Sequence, residues 1–181
     1  MGKTPSAEQV GVMNSTATAR VANEGQEQGG VKLRYLECLN LVERLHRQLL
    51  DVIKDELERV GQPEVNSVQA LLMFNIGDAE MTAGELRSRG YYLGSNVSYN
   101  LKKLVETGYI FQERSRADRR SVRIRLTPKG EEVAEVIDEL YDRHLKSIEK
   151  VGGLSNEAFE GLNKALGRLE RFWVDQILYK L

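Results

Sequence analysis

The sequence predicts a mainly α-helical protein carrying one small β-hairpin, and three observations predict it. Long stretches rich in Leu, Glu, Lys and Arg place apolar residues at three- and four-residue spacing, with only three prolines in 181 residues. Two Ser/Thr-led helix starts, Thr82 and Ser95, lie close together with Gly90 and Gly94 between them. One segment, Val122–Leu126, alternates Val-Arg-Ile-Arg-Leu, the period of two that belongs to a strand. Hydrophobic content of 41% and charged content of 29% suit a folded chain with a core.

Residues 1–30 hold Gly, Ser, Thr, Ala and Gln with few large apolar side chains, and read as a flexible tail or a short helix that orders on a partner. Residues 31–60 read as a long helix, with Leu36, Leu39, Val42, Leu45, Leu49, Val52 and Ile53 on one side and Gly61-Gln62-Pro63 as its stop. A second helix starts at Asn66 or Ser67 and runs through Leu71, Leu72 and Phe74 to Ile76 and Gly77. Thr82-Ala83-Gly84-Glu85 has the form of a capping box, in which Thr accepts from the Glu amide and Glu from the Thr amide. It opens a short helix, Ala83–Arg89. A turn over Tyr91–Gly94 follows, then Ser95 as N-cap of a helix over Asn96–Thr107, closed by Gly108. Two short helices joined by a glycine-containing turn form a helix-turn-helix.

Tyr109–Glu113 reads as a strand, Arg114–Arg120 as a charged loop, and Val122–Leu126 as the returning strand. A basic hairpin directly after a helix-turn-helix is a wing. Thr127 then caps a helix with Pro128 at its first position, which runs to about Lys150 and breaks at Gly152-Gly153. Ser155 caps the last helix, with Leu162, Leu166, Leu169, Trp173, Ile177 and Leu178 as its apolar positions. The expected organisation is a tail over 1–30, a winged helix-turn-helix DNA-binding domain over 63–127, and a helical dimerisation region made of 31–62 and 128–181. The terminal stretch Phe172-Trp173-Val174 to Leu181 is apolar enough that a second subunit is expected to cover it.

Charge placement points to the ligand. The net charge is −1, yet Leu86–Lys129 holds eleven Lys or Arg against three acids, a local +8 that leaves about −9 elsewhere. Such segregation is the footprint of a polyanion-binding face. On the helix Asn96–Glu106, Val97, Leu101, Leu104 and Val105 share one face, while Ser95, Asn96, Tyr99, Lys102, Lys103 and Glu106 point away from it with Ser98 at the flank. Short polar side chains at the N-terminal end and lysines behind them suit base edges and phosphates of a major groove. Arg114, Arg116, Arg119, Arg120 and Arg123 are the corresponding candidates on the hairpin. Double-stranded DNA is therefore the expected partner. RNA is disfavoured because no aromatic stacking platform is present.

Other classes find little support. No nucleophile elbow, phosphate-binding glycine loop or HExxH motif occurs, so an enzyme is not expected. A single cysteine, Cys38, excludes an internal disulfide, and His46 and His144 are too sparse for a metal centre, so neither metal nor cofactor is expected. No apolar run reaches the roughly 18 residues that span a bilayer and no secretory h-region is evident, which leads to an expectation of a cytoplasmic protein without a membrane partner.

The run Asp118-Arg119-Arg120-Ser121, four residues, then Leu126-Thr127, two residues, and Gly130 resembles the wing signature of the MarR family of bacterial regulators. The order of helices around it is similar as well, and the resemblance covers roughly residues 31–181. It implies a homodimeric transcriptional regulator on a pseudo-palindromic operator, with half-sites about 10 base pairs apart or a multiple. It also implies that Arg120 enters a minor groove and that Asp118 holds it in place. The narrow groove's negative potential favours such an arginine. Many members of the family release DNA when a small aromatic or phenolic effector binds between the dimer helices and the winged domain. By position the lining residues would be Leu36, Cys38, Leu39, Val42, Met73 and Phe74. The sequence looks nearest to a branch whose members regulate L,D-transpeptidase genes of cell-wall remodelling. It departs from the family in its bulky turn Tyr91-Tyr92-Leu93-Gly94 and its long N-terminal segment. Two alternatives are a winged-helix protein-interaction module that does not bind DNA, and a regulator that senses redox state through Cys38.

Overall fold

The computed structural model describes residues 7–88, 94–114 and 122–179, with side chains described for 29–82, 84–86, 98–113 and 122–179. Its elements in chain order are α1 (Ala7–Arg59), α2 (Ser67–Ile76), β1 (Met81–Thr82), α3 (Ala83–Ser88), α4 (Gly94–Glu106), β2 (Ile110–Arg114), β3 (Val122–Leu126), α5 (Pro128–Gly152) and α6 (Asn156–Tyr179). The chain divides into two compact units, residues 1–52 and 53–181.

The first unit is helical. Residues 7–30, expected as a flexible tail, continue α1 without a break. No proline follows Pro5 until Pro63, so nothing in the segment blocks the backbone ladder. Extending a helix already nucleated downstream adds one hydrogen bond per residue without a new nucleation cost. From Val31 to Val52 the larger apolar side chains are mostly exposed or half-buried, with Val31 68% and Leu33 70% accessible.

The second unit holds the core. At its start α1 ends in a left-handed turn: Gly61 has φ +76°, and the Gln62 amide donates to the Leu57 carbonyl at 2.8 Å. Asn66 caps α2 through a reciprocal pair with Gln69, 2.9 and 3.2 Å. α2 packs along α5, where Phe74 and Tyr141 meet edge-on with centroids 5.2 Å apart. Ile53, Leu57, Leu72, Met73, Leu86, Leu104, Ile124, Val133 and Ile137 are almost wholly shielded and form the centre of the unit. The sheet has three antiparallel strands in the order β1-β3-β2. Ile110 faces Leu126 and Arg114 faces Val122 across the hairpin, while Met81 faces Ile124. The two-residue β1 was not expected, since a segment that short has no readable period.

α5 starts as the sequence indicates, with Thr127 accepting from the Gly130 amide at 3.2 Å and Pro128 at the first position. Gly153 ends it in the left-handed conformation, φ +66°. In α6, Ser155 accepts from the Ala158 amide, and no described residue of the helix is buried.

Candidate nucleic-acid interface

The interface candidate is built from three consecutive pieces of the second unit. The expected capping box forms: the Glu85 amide donates to Thr82 Oγ1 at 3.0 Å, and the Thr82 amide to Glu85 Oε2 at 2.5 Å. This starts α3. α4 begins at Gly94, so Ser95, expected as N-cap, is already the second residue of the helix. The chain enters the helix on its glycine, which tolerates either side of that boundary.

On α4 the division of faces is as the periodicity required. Leu101 and Leu104 are buried, 8% and 1% accessible, and Val105 is half-buried. Ser98, Tyr99, Lys102 and Lys103 are exposed, with Tyr99 at 69%. Asn100 sits half-buried between the faces. The side chains of Ser95, Asn96 and Val97 lie outside those described. Lys102 makes a long contact with Glu106, 3.8 Å, one turn further on. Both groups are wet, so this pair holds Lys102 only weakly.

The helix exit is tightly built. Gly108 has φ +76°, and the Tyr109 amide donates to the Leu104 carbonyl at 2.8 Å. One residue later β2 begins. Ile124 and Leu126 of β3 face the core, and Arg123 and Arg125 face outward, as the alternation predicted. Arg125 lies over the Phe111 ring, 4.3 Å to its centroid. Arg123 donates to Glu80 at 3.1 Å, with both side chains about half exposed. Glu113 stands opposite Arg123 in the register. Arg123 was expected simply to meet DNA. It is also tied within the chain, and Glu80 went unnoticed because only the unexpected β1 brings it beside β3.

Of the remaining candidates, Arg114 ends β2 with its side chain outside those described. Arg116, Asp118, Arg119 and Arg120 fall in residues 115–121, outside the described residues. Among the expected effector-lining residues, Leu36 is exposed, Cys38, Leu39, Val42 and Phe74 are half-buried, and Met73 is fully buried. Among the described residues no group of three or more His, Cys, Asp or Glu is arranged to hold a metal ion. No described helix is long and apolar enough to cross a membrane.

Comparison with known proteins places this geometry. Residues 65–130 match the family described as a winged helix DNA-binding domain. The chain is 33% identical over 145 residues to the exopolysaccharide II synthesis transcriptional activator ExpG of Rhizobium meliloti (strain 1021), covering 80% of this chain and 74% of that protein. The chain belongs to the MarR family of transcriptional regulators. Its fold is shared with Streptococcus pneumoniae FabT in complex with DNA, at TM-score 0.61 and 22% identity over 78% of this chain and 98% of that one. It is shared too with a mutant MarR from E. coli complexed with operator DNA, at TM-score 0.58 and 18% identity over 72% and 91% of the two chains. This MarR-family chain is thus a DNA-binding transcriptional regulator on a winged helix, whose matched span, residues 65–130, contains α4 and the β2–β3 hairpin.

Proposed function

We propose that this regulator binds a pseudo-palindromic duplex operator as a homodimer, reading the major groove with α4 and anchoring in the minor groove with the hairpin tip. The observation that carries the reading is the two-faced α4. Leu101 and Leu104 fix one side in the core, so Ser98, Tyr99, Lys102 and Lys103 are presented together on the other. Ser95 and Asn96 follow Gly94 in the first turn of that helix, where backbone amides also favour phosphate oxygens. Arg114, Arg116, Arg119 and Arg120 are the hairpin contacts, with Asp118 orienting Arg120.

The homodimer rests on α6. Phe172, Trp173, Val174, Ile177, Leu178 and Tyr179 are 36–75% accessible in the single chain, an apolar surface that a lone soluble protein rarely leaves open. In this reading the protein works in the cytoplasm, where its DNA is. A small aromatic or phenolic effector belongs to the same proposal.

Gel-shift titration with duplex from the protein's own promoter tests it. Lys103→Ala and Arg120→Ala should each weaken binding, and wild-type affinity should fall steeply with salt as phosphate contacts release counterions. Wild-type binding by both variants overturns the reading.

A further inference from the structure

The residue that separates the recognition helix from the wing is Tyr109, one position after the left-handed Gly108 and one before β2. It is 2% accessible, yet its polar end is not idle. The hydroxyl donates to Glu64 Oε1 at 3.0 Å, reaching the connection between α1 and α2. Lys129 Nζ, in the first turn of α5, lies 4.0 Å from the centroid of its ring. Its carbonyl accepts from the Thr127 amide at 3.0 Å. The Thr127 hydroxyl meanwhile donates to the Gly108 carbonyl at 2.8 Å. One side chain and its peptide therefore join four things: the exit of α4, the root of β2, the start of α5 and the α1–α2 connection.

A plain apolar residue would fill the same space. Leu or Phe could bury its body there, and neither could reach Glu64. The hydroxyl bond and the ammonium over the ring are directional, so they fix rotation where packing alone would fix only distance. The junction lies where α4 ends and β2 begins, so rotation there would change the pitch of the hairpin against α4. The hairpin is a lever: a small turn at residue 109 displaces the far end of β2, at residue 114, more than it displaces the root.

We propose that Tyr109, through its bond to Glu64, is a positioning residue that sets the wing angle and so allows α4 and the wing to engage one DNA site together. This rests on the DNA-binding reading above and adds to it a residue that touches no DNA. Glu64 is its acceptor, and Lys129 lies over the ring.

The experiment is a double-variant cycle on operator affinity in the full-length protein. Tyr109→Phe keeps the ring and removes the hydroxyl; Glu64→Ala removes the acceptor; Glu64→Gln keeps an acceptor oxygen. Tyr109→Phe and Glu64→Ala are each expected to weaken operator binding about three- to tenfold. Glu64→Gln is expected to stay within about twofold of wild type. In an Arg120→Ala background, where the wing no longer anchors, the effect of Tyr109→Phe should shrink to less than about twofold, whereas in a Lys103→Ala background it should persist in full. Circular dichroism of each variant checks that the fold is kept, and minor-groove footprinting should show lost protection at the wing position alone. If Arg120→Ala itself binds like wild type, the wing reading fails and this proposal with it. If Arg120→Ala weakens binding but Tyr109→Phe does not, or does so equally in both backgrounds, the positioning role is overturned and the wing reading survives.

Discussion

Gly130→Ala should destabilise the second unit, although it replaces a glycine by the best helix former inside a helix. A Cβ built on Gly130 would lie 2.2 Å from the Tyr109 carbonyl oxygen and 3.3 Å from Leu126 Cδ2. The first of these contacts is against backbone, so no side chain can swing aside. Reaching an ordinary separation requires α5 and the β2 root to part by about 1 Å in a close-packed interior. Overpacking of that kind costs about 1–3 kcal/mol. The shift also threatens the bond from the Thr127 amide to the Tyr109 carbonyl, 3.0 Å, worth about 1 kcal/mol. Against these stands the helix-propensity gain of Ala over Gly, about 1 kcal/mol. The balance is a loss of about 1–3 kcal/mol. With a urea slope of about 2 kcal/mol per molar, the midpoint should fall by about 0.5–1.5 M at fixed protein concentration. Gly161→Ala in α6 is the control, since nothing lies within 4 Å of its Cβ position and only the propensity gain applies there. A Gly130→Ala midpoint at or above wild type, or a fall matched by Gly161→Ala, would refute the steric account.

Further outcomes follow from other contacts. Glu56 accepts two bonds from Arg59, 2.6 and 2.9 Å, and one from Arg143 of α5. Arg59 holds its carboxyl down most, burial opposes, and Arg143 lowers it further, to about 2 from an ordinary 4.5. A carboxylate held down in this way stabilises fully above about pH 4.5 and progressively less as pH falls through about 2. Glu56→Gln should therefore lower stability near pH 7 by about 1–2 kcal/mol, modest because both guanidinium groups are partly in water, and the gap to wild type measured by urea should close toward pH 2. Thr82→Ala removes the cap of the Glu85 amide and should cost about 1 kcal/mol by the same assay, while Thr82→Ser should recover most of it. Ile177→Asp puts a charge on an apolar position 75% accessible in the single chain, and sedimentation should show monomer where the proposed homodimer is expected for wild type; an unchanged dimer would move the interface elsewhere.

Where sequence was legible, the physics was local. The Thr82/Glu85 box, the Gly108 and Gly153 helix ends, the Thr127-Pro128 start and the two-residue alternation of Val122–Leu126 each depend on neighbours within four positions, and each occurs as read. Asn66 and Gln69 have the spacing of a second box and could have been found by the same rule. What stayed hidden depends on contacts far apart in sequence. β1 exists because Met81 pairs with Ile124, and Glu80 meets Arg123 only as a consequence. Tyr109 and Glu64 are 45 positions apart, and neither residue advertises the other. The motif Leu126-Thr127-x-x-Gly130 falls between these cases. It could be recognised as a pattern, but the reason for its glycine, the approach of the Tyr109 carbonyl, belongs to the fold.

The charge pattern shows how a correct inference from composition is still a ceiling. The eleven cations between Leu86 and Lys129 point rightly to a polyanion, but they are not eleven phosphate contacts. Arg123 is held by Glu80, Arg125 lies on Phe111 and Lys129 lies on Tyr109. An ion pair with one neighbour or a ring contact does not erase the long-range field of the whole block. To meet a phosphate each of these three would have to leave a contact that shapes the hairpin or its root. Lys103 on the exposed face of α4 has no such duty among the contacts described for it. The block therefore splits into two roles. Its inner members, Arg123, Arg125 and Lys129, are engaged within the hairpin and its root, while Lys103 on α4 is left exposed. A composition count registers the sum of both, and only the fold separates the cations held within the hairpin and its root from Lys103, left exposed on α4.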